Sequence, residues 1–152
     1  MALSSIQTRA RFFRVSAAKK RILIAEDDAT SLGAVRQILL QKGYDVTTAA
    51  SAEEALSILE KASFDLFLLD VVMPGMSGYD LCRRIRERPE TEGTPVIFLT
   101  AKGLLMDMAE GQDAGSDLYL IKPVLATKLL SMVGLFLNPD APLARRRRPA
   151  TA

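Results

Sequence analysis

The sequence contains no histidine, and Cys82 is its single cysteine in 152 residues. Without histidine the chain cannot build Ser-His-Asp or Cys-His catalysis or a His-ligated zinc site, and it cannot be a phosphohistidine donor. One cysteine gives neither an internal disulfide nor a CxxC metal site, which favours a reducing compartment. No apolar run reaches the roughly 18 residues of a membrane span, so none is predicted. Any chemistry must therefore use carboxylates, hydroxyls and lysine.

Acidic residues are also missing from both ends of the chain. The net charge is +2, but nine of the 20 basic residues lie in residues 1–20 and 145–152, which leaves 11 against all 18 acids between them. The central part therefore carries an excess of acid. We expect residues 1–20 to be a disordered basic arm and residues 139–152 a disordered Arg-rich tail. Only the run Arg145–Arg148 favours a nucleic-acid partner, and a solvated tail explains it as well, so we do not expect nucleic-acid binding.

Between residues 21 and 138, five short apolar segments alternate with segments of helical spacing. The strand candidates are RILIA at 21–25, DVTTA at 45–49, LFLLD at 66–70, PVIFLT at 95–100 and LYLI at 118–121. Their solidly apolar character and their long connections predict a parallel sheet that is covered by helices on both faces. The predicted fold is a single α/β domain with a doubly wound (βα)5 arrangement.

Polar side chains follow four of these strands. Glu26, Asp27 and Asp28 follow the first strand, Asp70 ends the third, Thr100 ends the fourth and Lys122 follows the fifth. In open parallel sheets, ligands bind at the edge where the carboxyl ends of the strands meet. We therefore expect these side chains to form one site, apart from Asp28, which fits better as a solvated residue or as the cap of the first helix.

The residue types at this edge suggest phosphoryl chemistry. The carboxylates of Glu26, Asp27 and Asp70 form an all-oxygen cluster that suits Mg²⁺. A cation would also offset the cost of placing Asp70 directly after four apolar residues. Lys122 and Thr100 can hold phosphoryl oxygens, and Asp70 can attack phosphorus to form an aspartyl phosphate.

Four motifs together resemble the receiver domain of two-component response regulators, most closely the stand-alone chemotaxis type. They are ILIAEDD at 22–28, LFLLDVVMPGMSG at 66–78, PVIFLTA at 95–101 and GSDLYLIKP at 115–123. The resemblance covers about residues 21–137. It implies a flavodoxin-like fold with a five-stranded parallel sheet in the order 2-1-3-4-5.

The resemblance also implies roles for individual residues. Glu26 and Asp27 would be the acidic metal pair, Asp70 the phosphoacceptor and a further Mg²⁺ ligand, and Val72 a ligand through its backbone carbonyl. Thr100 and Lys122 would contact the phosphoryl group, and Tyr119 would be the aromatic switch. The Lys122-Pro123 peptide bond would be cis, for which proline is the permissive residue.

The implied function is that of a cytoplasmic single-domain response regulator. It would accept a phosphoryl group on Asp70 from a sensor histidine kinase or a phosphotransfer protein, with Mg²⁺ as cofactor. As a signalling domain it would catalyse only its own phosphorylation and dephosphorylation. Two alternatives remain: a degenerate receiver that acts as an unphosphorylated scaffold, and an aspartyl-phosphate phosphatase. The second is disfavoured by Val72, since that family has a second acid two residues after its nucleophile.

The last two predicted helices, at 104–114 and 125–137, are apolar beyond one face. Because only one face of each helix can pack on the sheet, we expect several of their apolar residues to stay exposed. The candidates are Leu104, Leu105, Met106, Leu130, Leu135 and Leu137; the alternative is that a longer last helix buries these residues within the chain. Residues 104–137, the surface of helix 4, strand 5 and helix 5, are therefore predicted to bind a downstream effector protein or a second copy of the chain.

Overall fold

Strands and helices alternate along the chain. The computed structural model describes residues 19–101 and 105–138, with residues 105–108 described as backbone only. The strands are β1 (Arg21–Ala25), β2 (Asp45–Ala49), β3 (Leu66–Asp70), β4 (Val96–Thr100) and β5 (Leu118–Ile121). The helices are α1 (Ala29–Lys42), α2 (Ala52–Leu59), α3 (Gly78–Glu87), α4 (Leu105–Asp113) and α5 (Ala126–Leu137). All strand pairs are parallel and the order is β2-β1-β3-β4-β5, which confirms the predicted fold.

Helices cover both faces of the sheet because its central strands are apolar on both sides. Every residue of β3 and β4 is buried. Successive side chains point to opposite faces, so Phe67 and Phe98 pack with residues of α2 and α3, whereas Leu68 and Leu99 pack with residues of α1 and α5. The two cores fix the sheet between the helices, and thereby fix the positions at which the strands end.

Side-chain caps set the starts of the two helices that follow the site. Asp28 accepts a hydrogen bond from the backbone amide of Ser31 at 3.0 Å, as predicted for the cap of α1. Ser77 accepts one from the backbone amide of Asp80 at 3.2 Å at the start of α3. These bonds satisfy amide groups that the first turn of a helix leaves without partners.

Helix α5 buries more of its apolar surface than the sequence predicted. Leu137 is only 6% exposed, and Leu130 and Leu135 are half-buried against the core. The prediction of exposure is therefore wrong for Leu137 and only partly right for the other two. The reason is that α5 packs against α1 as well as the sheet, so two of its faces are covered. The predicted exposure of Leu104, Leu105 and Met106 falls outside the described side chains.

Several predictions about the ends of the chain concern residues beyond the described ranges. The tail at 139–152, with Arg145–Arg148, lies outside them, as does the basic arm except for Lys19 and Lys20. Within residues 19–101 and 105–138, no helix is long and apolar enough to cross a membrane.

Candidate functional site

The carboxyl ends of the strands bring the predicted site residues to one edge of the sheet. The parallel register pairs Asp70 with Leu99, and Thr100 with Ile121. Thr100, at the end of β4, is fully buried and its carbonyl accepts a hydrogen bond from the Lys122 amide at 2.8 Å. Asp70 and Thr100 therefore end neighbouring strands one register position apart, and Lys122 follows β5 at the same edge of the sheet.

Three carboxylates form an acidic cluster at this edge. Glu26, Asp27 and Asp70 each offer an oxygen, and these oxygens all lie within 4.8 Å of one another. Glu26 and Asp70 are buried, whereas Asp27 is exposed. Like charges at this spacing repel each other, so the cluster favours a cation. The donor set fits Mg²⁺, which prefers oxygen ligands and keeps several waters on its open side.

Lys122 bridges the two buried carboxylates of the cluster. Its ammonium group donates a hydrogen bond to Glu26 Oε2 at 2.6 Å and lies 3.6 Å from Asp70 Oδ2. The peptide bond to Pro123 is cis, as the resemblance implied. A lysine at this distance can contact a group that is attached to the Asp70 carboxylate, because its ammonium group carries three N–H donors and can rotate to direct them.

The environment of Glu26 makes its charge dependent on its neighbours. Burial raises the pKa of Glu26 above its usual 4.5, and the nearby Asp70 carboxylate raises it as well. The hydrogen bond from Lys122 acts in the opposite direction. The charged form of Glu26 is therefore held by the Lys122 ammonium, and a bound cation would favour it further.

The backbone of Asp70 is in close contact with the first residue of α3. A Cβ atom at Gly78 would lie 2.0 Å from the Asp70 carbonyl oxygen, so only glycine fits here. The Gly78 amide donates to the Val71 carbonyl at 2.9 Å, which closes the turn after β3. The side chain of Val72 in this turn is 54% exposed. Sequence reasoning did not single out Gly78, although the GMSG turn of the motif contains it.

Tyr119 lies on β5 and faces the interior between α3 and α4. Its ring is half-buried and contacts the Phe98 ring edge-on, with centroids 6.0 Å apart. Its hydroxyl forms a hydrogen bond of 3.2 Å with the hydroxyl of Tyr79 on α3, in which either group can donate. Sequence reasoning missed Tyr79, because a tyrosine on the buried face of a helix gives no signal of a specific partner.

Comparison with known proteins identifies the family. The model of the response regulator receiver domain matches residues 22–134. The chain is 37% identical over 122 residues to the phosphate regulon transcriptional regulatory protein PhoB of Rhizobium meliloti, covering 80% of this chain and 54% of the relative. It is 41% identical over 103 residues to the transcriptional regulatory protein AfsQ1 of Streptomyces coelicolor, covering 68% and 44%. The chain thus spans about half the length of these curated relatives.

Solved structures agree with this result. The chemotaxis protein CheY4 of Vibrio cholerae superposes with a TM-score of 0.74 at 32% identity, covering 76% of this chain and 97% of that one. A CheY-like receiver domain protein of Methanospirillum hungatei gives 0.74 at 36% identity, covering 80% and 95%. The chain belongs to the family of response regulator receiver domains, the signalling domains of two-component systems.

Proposed function

We propose that the chain accepts a phosphoryl group on Asp70 from a sensor histidine kinase or a phosphotransfer protein. The observation that carries this proposal is the position of the Lys122 ammonium, 3.6 Å from Asp70 Oδ2, beside the acidic cluster. The phosphohistidine donor lies outside these 152 residues, since they contain no histidine. We also propose that the chain works in the cytoplasm, where kinases have access to ATP.

The proposed reaction forms an acyl phosphate on Asp70. An oxygen of Asp70 attacks phosphorus in line with the bond to the donor nitrogen, and that bond breaks with its electron pair going to the imidazole. Lys122 and the Thr100 hydroxyl hold the phosphoryl oxygens and stabilise their charge. Glu26, Asp27, Asp70 and the backbone carbonyl of Val72 would hold Mg²⁺. When bound, this ion neutralises charge on the phosphoryl oxygens.

The output of the domain is proposed to run through α4, β5 and α5. Ile121 and Leu125 are 50% and 74% exposed, at the end of β5 and just before α5. With Tyr119 and Lys128 they line a surface hollow of about 320 Å³. The exposed apolar surface is therefore centred on the junction between β5 and α5 rather than along α5. We propose that a downstream effector protein, or a second copy of the chain, binds there when Asp70 is phosphorylated.

Phosphorylation by a small phosphodonor tests the proposal. Incubation with acetyl phosphate and Mg²⁺, followed by intact-mass spectrometry, should show one added phosphoryl group in the wild type and none after chelation of the metal. Asp70→Asn should abolish the adduct, whereas Asp113→Asn, which changes an exposed carboxylate at the end of α4, should not.

The same experiment separates the alternatives. An adduct that persists in Asp70→Asn would contradict the assignment of the phosphoacceptor. Release of many equivalents of phosphate per chain, without a stable adduct, would instead indicate a phosphatase. If the wild type gains no phosphoryl group under any condition, the chain is a degenerate receiver that acts as a scaffold.

A further inference from the structure

One face of helix α3 contacts the segment formed by α4 and β5. Tyr79, Arg83 and Arg86 follow each other at spacings of four and three residues, which places them on the same side of the helix. Their partners, in the same order, are the Tyr119 hydroxyl at 3.2 Å, Glu110 at 3.6 Å and Asp117 at 3.1 Å. The two arginines form ion pairs, whereas Tyr79 reaches the side chain that is the proposed switch.

The same helix contacts the phosphoacceptor at its first residue. Gly78 lies against the carbonyl oxygen of Asp70, so closely that there is no room for a Cβ atom. Tyr79 is the next residue along the helix and is itself buried. Neighbouring residues of α3 therefore touch the backbone of Asp70 and the hydroxyl of Tyr119.

The interior position of Tyr119 is closely fitted. The rings of Tyr79 and Tyr119 both contact Phe98 edge-on, at centroid distances of 5.2 and 6.0 Å. Gly111 of α4 closes the other side, where a Cβ atom would lie 3.2 Å from the Tyr119 ring. A hydroxyl in such apolar surroundings costs free energy unless it is hydrogen-bonded. The Tyr79 hydroxyl supplies a partner there, so it stabilises this position of Tyr119 relative to one in solvent.

We propose that Tyr79 is a positioning residue whose hydroxyl sets the balance between inward and outward positions of Tyr119. The Tyr79 hydroxyl thereby sets how strongly the surface of α4, β5 and α5 changes when Asp70 is phosphorylated. The link to phosphorylation rests on the proposed function, whereas the effect of the hydroxyl on Tyr119 does not. In this proposal Tyr119 is the element with two positions, and the Tyr79 hydroxyl favours the inward position that the structure shows.

Fluorine NMR of the chain labelled with 3-fluorotyrosine tests the hydroxyl contact. The chain has three tyrosines, at positions 44, 79 and 119, so each resonance can be assigned by substitution. In Tyr79→Phe the ring contacts remain and only the hydroxyl is lost. The ratio of outward to inward Tyr119 should rise on the order of fivefold, the usual worth of one hydrogen bond. The readout is the relaxation of the Tyr119 fluorine by a soluble paramagnetic agent.

Tyr44→Phe is the matched control, because it removes the hydroxyl of a half-buried tyrosine on the opposite face of the sheet. It should leave the Tyr119 signal unchanged. The proposal is overturned if Tyr79→Phe leaves the Tyr119 relaxation at the wild-type value, or if Tyr44→Phe raises it equally. Tyr119→Phe provides a second test of the same hydrogen bond, which can be used if Tyr79→Phe does not fold. Loss of the Tyr119 hydroxyl should change the Tyr79 resonance.

A second arm adds acetyl phosphate and Mg²⁺ and follows both the mass and the Tyr119 signal. The change in that signal per phosphorylated chain should differ between the wild type and Tyr79→Phe, and equal changes would overturn the link to phosphorylation. If no adduct forms, the proposed function fails, while the measurements on the unphosphorylated chain still decide the role of the Tyr79 hydroxyl.

Discussion

Replacing Gly78 with alanine tests how rigidly α3 holds Asp70, the proposed phosphoacceptor. The added Cβ would lie 2.0 Å from the Asp70 carbonyl oxygen, 2.9 Å from its carbon and 3.0 Å from the Val71 Cα. Ordinary contact begins at 3.4 Å, so the shortest of these distances must grow by about 1.4 Å. All three atoms belong to backbone at the end of a buried strand. A rotamer change cannot relieve the contact, and α3 or β3 must move.

The expected free-energy change follows from two opposing effects. Overpacking against a rigid neighbour costs about 3 kcal/mol at the upper end of its usual range. Alanine in place of glycine stabilises a helix interior by about 1 kcal/mol, and it stabilises less at Gly78, which is the first residue of α3. The net expectation for Gly78→Ala is therefore a loss of at least about 2 kcal/mol in the free energy of unfolding. Gly33→Ala in α1 is the control, because a Cβ there meets nothing within 4 Å, and it should stabilise the chain by about 0.5–1 kcal/mol.

Urea unfolding followed by circular dichroism measures both variants, and phosphorylation by acetyl phosphate adds a functional readout. Displacing a reacting group by about 1 Å can cost a hundredfold in rate, so Gly78→Ala should be phosphorylated at least about tenfold more slowly than Gly33→Ala. If Gly78→Ala proves as stable as Gly33→Ala, the close approach of α3 to Asp70 is not rigid and the reasoning is refuted.

Two further predictions concern stability. Arg86→Met should lower the free energy of unfolding by about 3 kcal/mol, because Arg86 pairs with the largely buried Asp117 and donates to the Gly115 carbonyl. Arg83→Met is the control: it breaks exposed ion pairs and should lower the free energy of unfolding by less than about 1 kcal/mol. Equal losses in urea unfolding would contradict this distinction. Burial raises the pKa of Tyr44 above 10.0, so the folded state keeps its proton longer than the unfolded state, and stability falls as the pH rises from 10.0 toward that raised pKa. Between about pH 9 and pH 11, the wild type should therefore lose more stability than Tyr44→Phe, and parallel urea-unfolding curves would disprove the assignment.

The positions of the site residues could be predicted because parallel strands share one direction. Asp70 and Thr100 end the buried strands β3 and β4, and Lys122 follows β5, so strand assignment alone placed them at a common edge. The exposure of Leu137 could not be predicted in the same way. The apolar pattern of a helix shows how much apolar surface the helix carries, but it does not show how many neighbours cover that surface. Helix α5 has two such neighbours, the sheet and α1.

Contacts between residues far apart in the chain were beyond sequence reasoning. Tyr79 and Tyr119 are 40 residues apart, and no periodic pattern links their hydroxyls. Sequence reasoning also did not identify Gly78, because the role of this residue depends on the missing side chain that lets α3 approach β3. Both residues become informative only when the packing of α3 is known.

Because Gly78 and Tyr79 are adjacent, the Gly78→Ala substitution can also be read by the fluorine NMR signal of Tyr119. Successive residues of a helix point in directions about 100° apart, which is why Gly78 can face Asp70 while Tyr79 faces Tyr119. The movement of about 1.4 Å that Gly78→Ala requires exceeds the tolerance of the Tyr79–Tyr119 hydrogen bond, which is 3.2 Å long and weakens beyond about 3.5 Å. If α3 moves as a rigid element, Gly78→Ala should raise the solvent relaxation of the Tyr119 fluorine as Tyr79→Phe does, although both hydroxyls are present. If β3 yields instead, Asp70 shifts, phosphorylation slows and the Tyr119 signal stays at its wild-type value. The fluorine signal of this one variant therefore shows which side of the contact gives way.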